Sequence, residues 1–307
     1  MPADPLKVGK DWFSEAGWEP FAFQIEAWEA CMKGLSGLVN APTGSGKTYS
    51  LMVPLVLQFL HDYPAAKARK NAGLQAIWIT PIRALSKEIE LSARRLIDGL
   101  GIDMTVGVRS GDTSLKERMR QKTKPPHLLI TTPESLHLLL AQKAYPALFN
   151  DLKILIADEW HELIGSKRGA HLSLSLERLA ALCERPLVRI GLSATSNPVS
   201  LMAQFLTGCR PGRCAIVDTG HARERDLALE LPSSPLEPVM AAEVWTEIYD
   251  RLAELARAHR TTLIFVNQRQ GVTENYRRYL YNGLRAHWGF HGTPVRLKFR
   301  SRREAER

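Results

Sequence analysis

Cysteine is scarce in this sequence. Cys31, Cys183, Cys209 and Cys214 are the only four in 307 residues, and their spacing is irregular. That excludes a disulfide framework. Cys209 and Cys214 are five apart with no second Cys or His pair at ligand spacing, which excludes a conventional zinc site. The four read as reduced thiols and place the protein in the cytoplasm. There is no run of about 18 apolar residues, so no transmembrane helix is expected. The start, Met1-Pro2-Ala3-Asp4-Pro5, lacks a basic region followed by an apolar one and does not read as a secretory signal. Internal repeats and long low-complexity tracts are absent too.

Acidic residues are in modest deficit, 32 against 41 Lys and Arg, giving a net charge of +9. The excess is unevenly spread: residues 271–307 hold nine Lys/Arg and three Asp/Glu. The rest is nearly balanced, so the global charge is weaker evidence for a nucleic-acid partner than it looks. The chain is 45% hydrophobic and 24% charged. That is an ordinary globular balance, and the length suits about two domains.

The densest chemical signal is Ala41-Pro42-Thr43-Gly44-Ser45-Gly46-Lys47-Thr48. An apolar run, Gly37-Leu38-Val39, precedes it, and a stretch with helical spacing, Thr48 to Leu60, follows. Strand, glycine loop and helix make the setting of a phosphate-binding loop, although its usual first glycine is Ala41 here. Gly44 and Gly46 let the backbone turn tightly, and the helix N-terminus favours an anion. Thr43 to Thr48 are therefore the nucleotide-binding residues, with Lys47 reaching the β/γ-phosphates and the Thr48 hydroxyl a ligand for Mg²⁺.

Strand-like and helix-like stretches then alternate. Strands are expected at 75–80, 104–108, 128–131, 152–157 and 187–192, and helices at 83–100, 114–122, 134–142 and 172–183. Another helix is expected at 21–34, whereas residues 1–19 and 67–71 read as irregular. The alternation predicts an α/β fold, a parallel sheet with helices on both faces and its sites at the carboxyl ends of the strands. Asp158-Glu159-Trp160-His161 follows the apolar run 152–157 at such an end. Asp158 is expected to hold Mg²⁺ and Glu159 to act as general base on the attacking water. Trp160 is expected to be packed. Of Trp12, Trp18 and Phe21, mostly packing anchors, one is a candidate to stack on adenine.

The order of these motifs, closed by Ser193-Ala194-Thr195, resembles the superfamily 2 DEXH-box helicases. Thr131-Thr132-Pro133-Glu134-Ser135-Leu136, Asp158 to Leu163, and Gly165-Ser166-Lys167-Arg168-Gly169 resemble the Lhr-type (large helicase-related) DNA helicases, including those associated with DNA repair ligases. The resemblance implies a RecA-like P-loop NTPase fold. It also implies an ATP-dependent DNA helicase acting in repair, with ATP and Mg²⁺ as cofactors. Single-stranded or partly duplex DNA would be the partner, with RNA left open, and a ligase or nuclease would be an associate. It implies that Gln24 reads adenine, that Thr80, Arg83, Gly111, Thr113, Thr131 and Thr132 contact nucleic acid, and that His161, Ser193 and Thr195 couple the ATP state to strand movement. Hydroxyls at strand ends suit phosphate contacts, but they equally serve as helix caps.

The resemblance fades toward the C-terminus. Pro and Gly accumulate over 208–238, then come a helix at 239–259, a strand at 261–267 and a further helix at 271–284. Residues 285–307 form a basic aperiodic tail. The expected division is a RecA-like domain at 1–215, a partial second one at 216–284, and the tail. The family's Gln-x-x-Gly-Arg-x-x-Arg motif, which would supply an arginine finger, is absent from this sequence, and a truncated or frame-shifted product, or a fragment of a larger gene, is the expected explanation. The alternatives are a non-catalytic fragment that binds ATP or nucleic acid, and a small-molecule P-loop kinase, against which the Asp-Glu-Trp-His and Ser-Ala-Thr motifs speak.

Overall fold

A computed structural model describes residues 5–142, 146–194, 198–208, 214–219, 228–233 and 242–259, together with 262, 264, 267–268 and 300–301. The chain divides into two compact units, Met1–Arg223 and Glu224–Arg307.

The first unit is built on seven strands: β1 (Ser36–Asn40), β2 (Ala76–Ile79), β3 (Val106–Arg109), β4 (Leu128–Thr131), β5 (Ile154–Ala157), β6 (Val188–Ser193) and β7 (Cys214–Asp218). They form one sheet in the order β3-β4-β2-β5-β6-β1-β7, and every pairing is parallel. Its helices are α1 (Pro5–Glu15), α2 (Ala22–Met32), α3 (Lys47–Asp62), α4 (Ala66–Asn71), α5 (Arg83–Gly99), α6 (Leu115–Thr123), α7 (Pro133–Leu140), α8 (Trp160–Leu163), α9 (Lys167–Leu182) and α10 (Val199–Thr207).

Successive strand residues face opposite sides, and both sides of the sheet's middle are covered, so β2, β4 and β5 are buried along their length and almost wholly apolar. Val39, Trp78, Ile130 and Ile156 join one core with Trp28, Val53, Ile89 and Leu96 from α2, α3 and α5. Their neighbours Leu38, Ile77, Leu129 and Leu155 join the other, with Leu136, Leu172, Leu176 and Met202 from α7, α9 and α10. This is the α/β arrangement that the alternation predicts.

Four differences have local causes. Residues 5–15 form α1, where irregular chain is expected; Trp12 and Phe13 are buried beside Trp28 and Tyr49, so tertiary aromatic packing fixes the helix. Residues 66–71 form a one-turn surface helix, α4, whose Arg69 guanidinium bonds the carbonyls of Tyr63 and Pro64. Helix α9 starts at Lys167 rather than 172, because the Ser166 hydroxyl accepts from the Gly169 amide and caps it. β7 lies across the boundary expected at 215, and it is held to β1 by strand pairing and by the Asn40 amide donating to Asp218. A Cβ at Gly37 of β1 would run into the backbone of Ala215, so only glycine permits this approach.

In the second unit α11 (Ala242–Ala258) buries Val244 and Ala253, and Arg251 pairs with Glu230 and Glu254. Strand β8 (Asn267–Gln268) pairs in parallel with β9 (Arg300–Ser301), a short strand inside the segment expected to have none. Most of the strand expected at 261–267 and all of the helix expected at 271–284 lie outside the described residues. Among the described residues no helix is long and apolar enough to cross a membrane.

Candidate active site

Strand β1 delivers the chain to the phosphate loop at the carboxyl edge of the sheet. Ala41 is buried, and its amide donates to the Ser193 carbonyl at 2.9 Å, which continues the β1–β6 ladder into the loop. Gly44 and Gly46 have φ of 80° and 79°, a backbone that side chains oppose. Gly46 ends the loop as the N-cap of α3. Ser45 folds back on the Pro42 carbonyl through its hydroxyl at 2.7 Å. Thr43 and Gly44 stay exposed.

Lys47, the first residue of α3, is buried, and its Nζ has no hydrogen-bond partner among the described residues. Burial pulls its pKa below the ordinary value, only partly offset by the negative charges of Glu159 and Asp158. A buried ammonium without a partner is costly in a folded chain. An anion at this loop would satisfy it.

Asp158 follows β5 directly. Its Oδ1 accepts from the Glu159 amide at 2.9 Å and its Oδ2 from the Trp78 indole Nε1 at 3.3 Å. Burial, then the charge of Glu159, pushes its pKa up to about 6, against the opposing effects of Trp78, the Glu159 amide and Lys47. A folded-state value above the ordinary 3.8 means that the folded chain binds this proton more tightly than the unfolded one. Stability from this group is therefore greatest below about pH 4, is lost as pH rises to about 6, and then stays level. Asp158→Asn removes the buried charge. Some of the gain is cancelled by placing an amide N–H near a donor, so the apo protein should gain on the order of 1 kcal/mol at pH 7 and nothing at pH 4. Urea unfolding of both proteins at the two pH values measures this; an equal difference at both would refute it.

Glu159 is the one non-glycine residue at positive φ among those described, at φ 47°, ψ 46°. Such strain persists where surrounding structure holds it, commonly at functional sites. The His161 Nε2 lies 3.5 Å from the Glu159 carboxylate, and its Nδ1 lies 3.1 Å from the Ser193 hydroxyl. The Ala194 amide donates to the same Nδ1 at 3.4 Å. An amide can only donate, so Nδ1 accepts and the neutral ring carries its proton on Nε2, facing Glu159. Thr195 lies outside the described residues. Trp160 is fully buried and donates to the Met202 carbonyl, so it packs as expected.

Gln24 is placed beside the loop, but both ends of its amide are used. Its Oε1 accepts from the Phe21 amide and its Nε2 donates to the Gly46 carbonyl, each at 2.9 Å. In this structure it braces α2 against the phosphate loop. Among the aromatic candidates, Trp12 is buried and Trp18 has the Arg95 guanidinium 4.3 Å over its ring. Phe21, stacked on Phe23, is the open one at 60% exposure.

The residues expected to meet nucleic acid lie in the loops at the carboxyl ends of β2, β3 and β4. The Thr80, Thr131 and Thr132 side chains are buried. Their hydroxyls bond inside the protein, to the Ile82 carbonyl, the Arg109 carbonyl and Ser135 respectively. Thr113 accepts from the Ser110 amide at 2.8 Å. In this structure these threonines hold loops and caps. Arg83 and Gly111 are exposed, and Arg83 pairs with Asp112 at 3.2 Å. Two participants were not foreseen. Trp78 reads as one more apolar strand residue until β2 is paired with β5, which brings its indole to Asp158. Arg168 was visible only as part of a motif.

A family model described as DEAD/DEAH box helicase matches residues 21–202, from Phe21 through the phosphate loop and Asp158-Glu159 to α10. The chain belongs to the DEAD/DEAH box helicases. The likeness within that family is to Lhr proteins. This helicase chain is 37% identical over 283 residues to the Lhr helicase/probable uracil glycosylase of Mycolicibacterium smegmatis, covering 87% of the chain and 18% of that protein. It is 39% identical over 252 residues to the ATP-dependent helicase Lhr-Core of Methanothermobacter thermautotrophicus, covering 78% of the chain and 29% of that protein. The solved Mycobacterium smegmatis helicase Lhr, bound to ssDNA and AMP-PNP, superposes with a TM-score of 0.75 at 34% identity, over 95% of this chain and 38% of that one. The RecA-like helicase fold is thereby established. The helicase chain spans less than a third of the length of either curated relative. A second model, the KH-domain-like C-terminal module of EngA bacterial GTPase enzymes, matches residues 253–300, across the part where the helicase resemblance fades.

Proposed function

We propose that this chain binds ATP at the 41–48 loop and, as part of an Lhr-type DNA helicase, couples its hydrolysis to movement along single-stranded DNA. The observation that carries the reading is the buried Nζ of Lys47, without a hydrogen-bond partner among the described residues and held at the phosphate loop near Asp158 and Glu159. Thr43 to Thr48 bind the phosphates through backbone amides and the helix N-terminus. Gln24 and Phe21 border the adenine position, with Phe21 offering its ring. The Thr48 hydroxyl and Asp158 are hard oxygen donors of the kind Mg²⁺ takes, and they would hold it. When bound, the ion neutralises charge that develops on the phosphates. Glu159 accepts a proton from the attacking water, and His161, hydrogen-bonded to Ser193, links Glu159 to the end of β6. Arg83 and Gly111, with the loops that Thr80, Thr113, Thr131 and Thr132 shape, form the edge offered to a DNA backbone.

A DNA-repair setting, with a ligase or nuclease as associate, is the further part of this reading. It is supported by the relative named helicase/probable uracil glycosylase. The sparse cysteines support the cytoplasm as the compartment. A second reading is that these 307 residues bind ATP or nucleic acid without turnover, which the geometry at Lys47 equally accommodates. ATPase rate with and without single-stranded DNA, across salt, separates them. The first reading expects stimulation that declines steeply with salt, as phosphate-dominated binding does. Nucleotide binding with no DNA-dependent hydrolysis selects the second.

A further inference from the structure

The segment Gly165-Ser166-Lys167-Arg168-Gly169 lies between the helix that follows Glu159 and the edge proposed to meet DNA. Toward the ATP side, Ser166 donates its hydroxyl to the Leu163 carbonyl at 2.7 Å, and a Cβ at Gly169 would run into that same carbonyl. Gly169 thus lets the first turn of α9 press against the end of α8, the helix that carries His161. Toward the other side, Arg168 spans two loops at once. Its Nε donates to one Glu134 carboxylate oxygen at 2.7 Å, and its Nη2 donates to the other at 3.3 Å and to the Pro81 carbonyl at 3.0 Å. Pro81 lies between Thr80 and Arg83, and Glu134 follows Thr132 in the first turn of α7.

Arg168 and Glu134 are both about half exposed. An exposed pair adds little to stability as a pair. Its geometry does something else: a planar fork that meets both carboxylate oxygens and a carbonyl fixes three groups relative to one another, which lysine cannot do.

We propose that residues 165–169 form a bracket that fixes the loops after β2 and β4 against α8, with Arg168 as the residue that positions the nucleic-acid-binding edge. The proposal rests on the reading of that edge as the DNA site. Arg168 is occupied by Glu134 and Pro81 and makes no phosphate contact itself.

The test is fluorescence anisotropy of a labelled single-stranded oligodeoxythymidylate with the full chain, across salt, beside AMP-PNP affinity on the same samples. Arg168→Met should weaken DNA binding by roughly five- to twentyfold, with the salt slope unchanged. Glu134→Gln decides between positioning and direct contact. It removes a negative charge and frees Arg168, so a phosphate-contacting Arg168 predicts tighter DNA binding. The bracket predicts weaker binding. AMP-PNP affinity should stay within about twofold in both variants, which shows that the fold persists. Tighter or unchanged binding by Glu134→Gln overturns the bracket alone. So does a salt slope flattened by about one in Arg168→Met, the mark of a lost phosphate contact. A wild-type chain that binds AMP-PNP but no DNA overturns the reading of the edge, and the bracket with it.

Discussion

Lys47→Ala should lower ATP affinity by roughly 30- to 1,000-fold, the loss expected when one partner of a buried charged pair is truncated. The same substitution should leave the apo protein no less stable. Most lysines contribute through a partner, but the Lys47 Nζ has none among the described residues, and burial is the largest influence on its pKa, pulling it down. The folded apo chain therefore holds this ammonium at a cost, which alanine removes together with some of the screening it gives Asp158 and Glu159. Affinity lost while stability holds is the pattern of a residue retained for a ligand rather than for the fold. Isothermal titration with Mg·ATP and a urea unfolding curve measure the two halves. An ATP affinity within about threefold of wild type would remove the loop from the proposed site. A large drop in apo stability would instead make Lys47 a structural residue.

The architecture was legible because each half of it leaves a mark in the residues. Strands buried on both faces show as the runs 75–80, 128–131 and 152–157, and the phosphate loop shows as two glycines followed by Lys-Thr. What stayed hidden depends on distant contacts. The helix at 5–15 needs Tyr49 and Trp28 to bury its aromatics. β7 has an exposed face and follows a Pro- and Gly-rich approach, so only its pairing with β1 makes it a strand. At the site, residue type and spacing predicted which groups lie together. Lys47, Asp158, Glu159, His161 and Ser193 come together as their spacing implies. Thr80, Thr131 and Thr132 lie at strand ends with their hydroxyls bonded inside the protein, because a short hydroxyl at a strand end finds a partner nearby. Sequence does not separate that use from a phosphate contact, since both favour the same residue at the same place. Trp78 shows the converse: its indole N–H matters only because register brings it to Asp158.

Glu159→Gln should keep nucleotide binding within about threefold of wild type and lower DNA-stimulated hydrolysis by roughly 100- to 10,000-fold, the range that a positioned general base contributes. The two halves separate because of where Glu159 sits. In the proposed site the loop and Lys47 meet the phosphates, and Thr48 and Asp158 would hold Mg²⁺, so neutralising Glu159 leaves those binding groups in place. Glutamine also matches glutamate in size, and its backbone would bear the same left-handed conformation, φ 47°, at similar cost. What it lacks is a carboxylate to take a proton from water. His161 presents Nε2–H toward that carboxylate and is itself held by Ser193 and the Ala194 amide. The imidazole therefore orients the base but is not placed to replace it, since its accepting nitrogen is engaged on the far side. Glu159→Gly provides the control for strain. It should relieve the left-handed backbone, leave stability level or higher, and lose hydrolysis as fully as Glu159→Gln. Single-turnover hydrolysis in saturating single-stranded DNA measures all three proteins. A Glu159→Gln rate within about fivefold of wild type would mean that the water is activated elsewhere, and the strained backbone at this position would need another explanation.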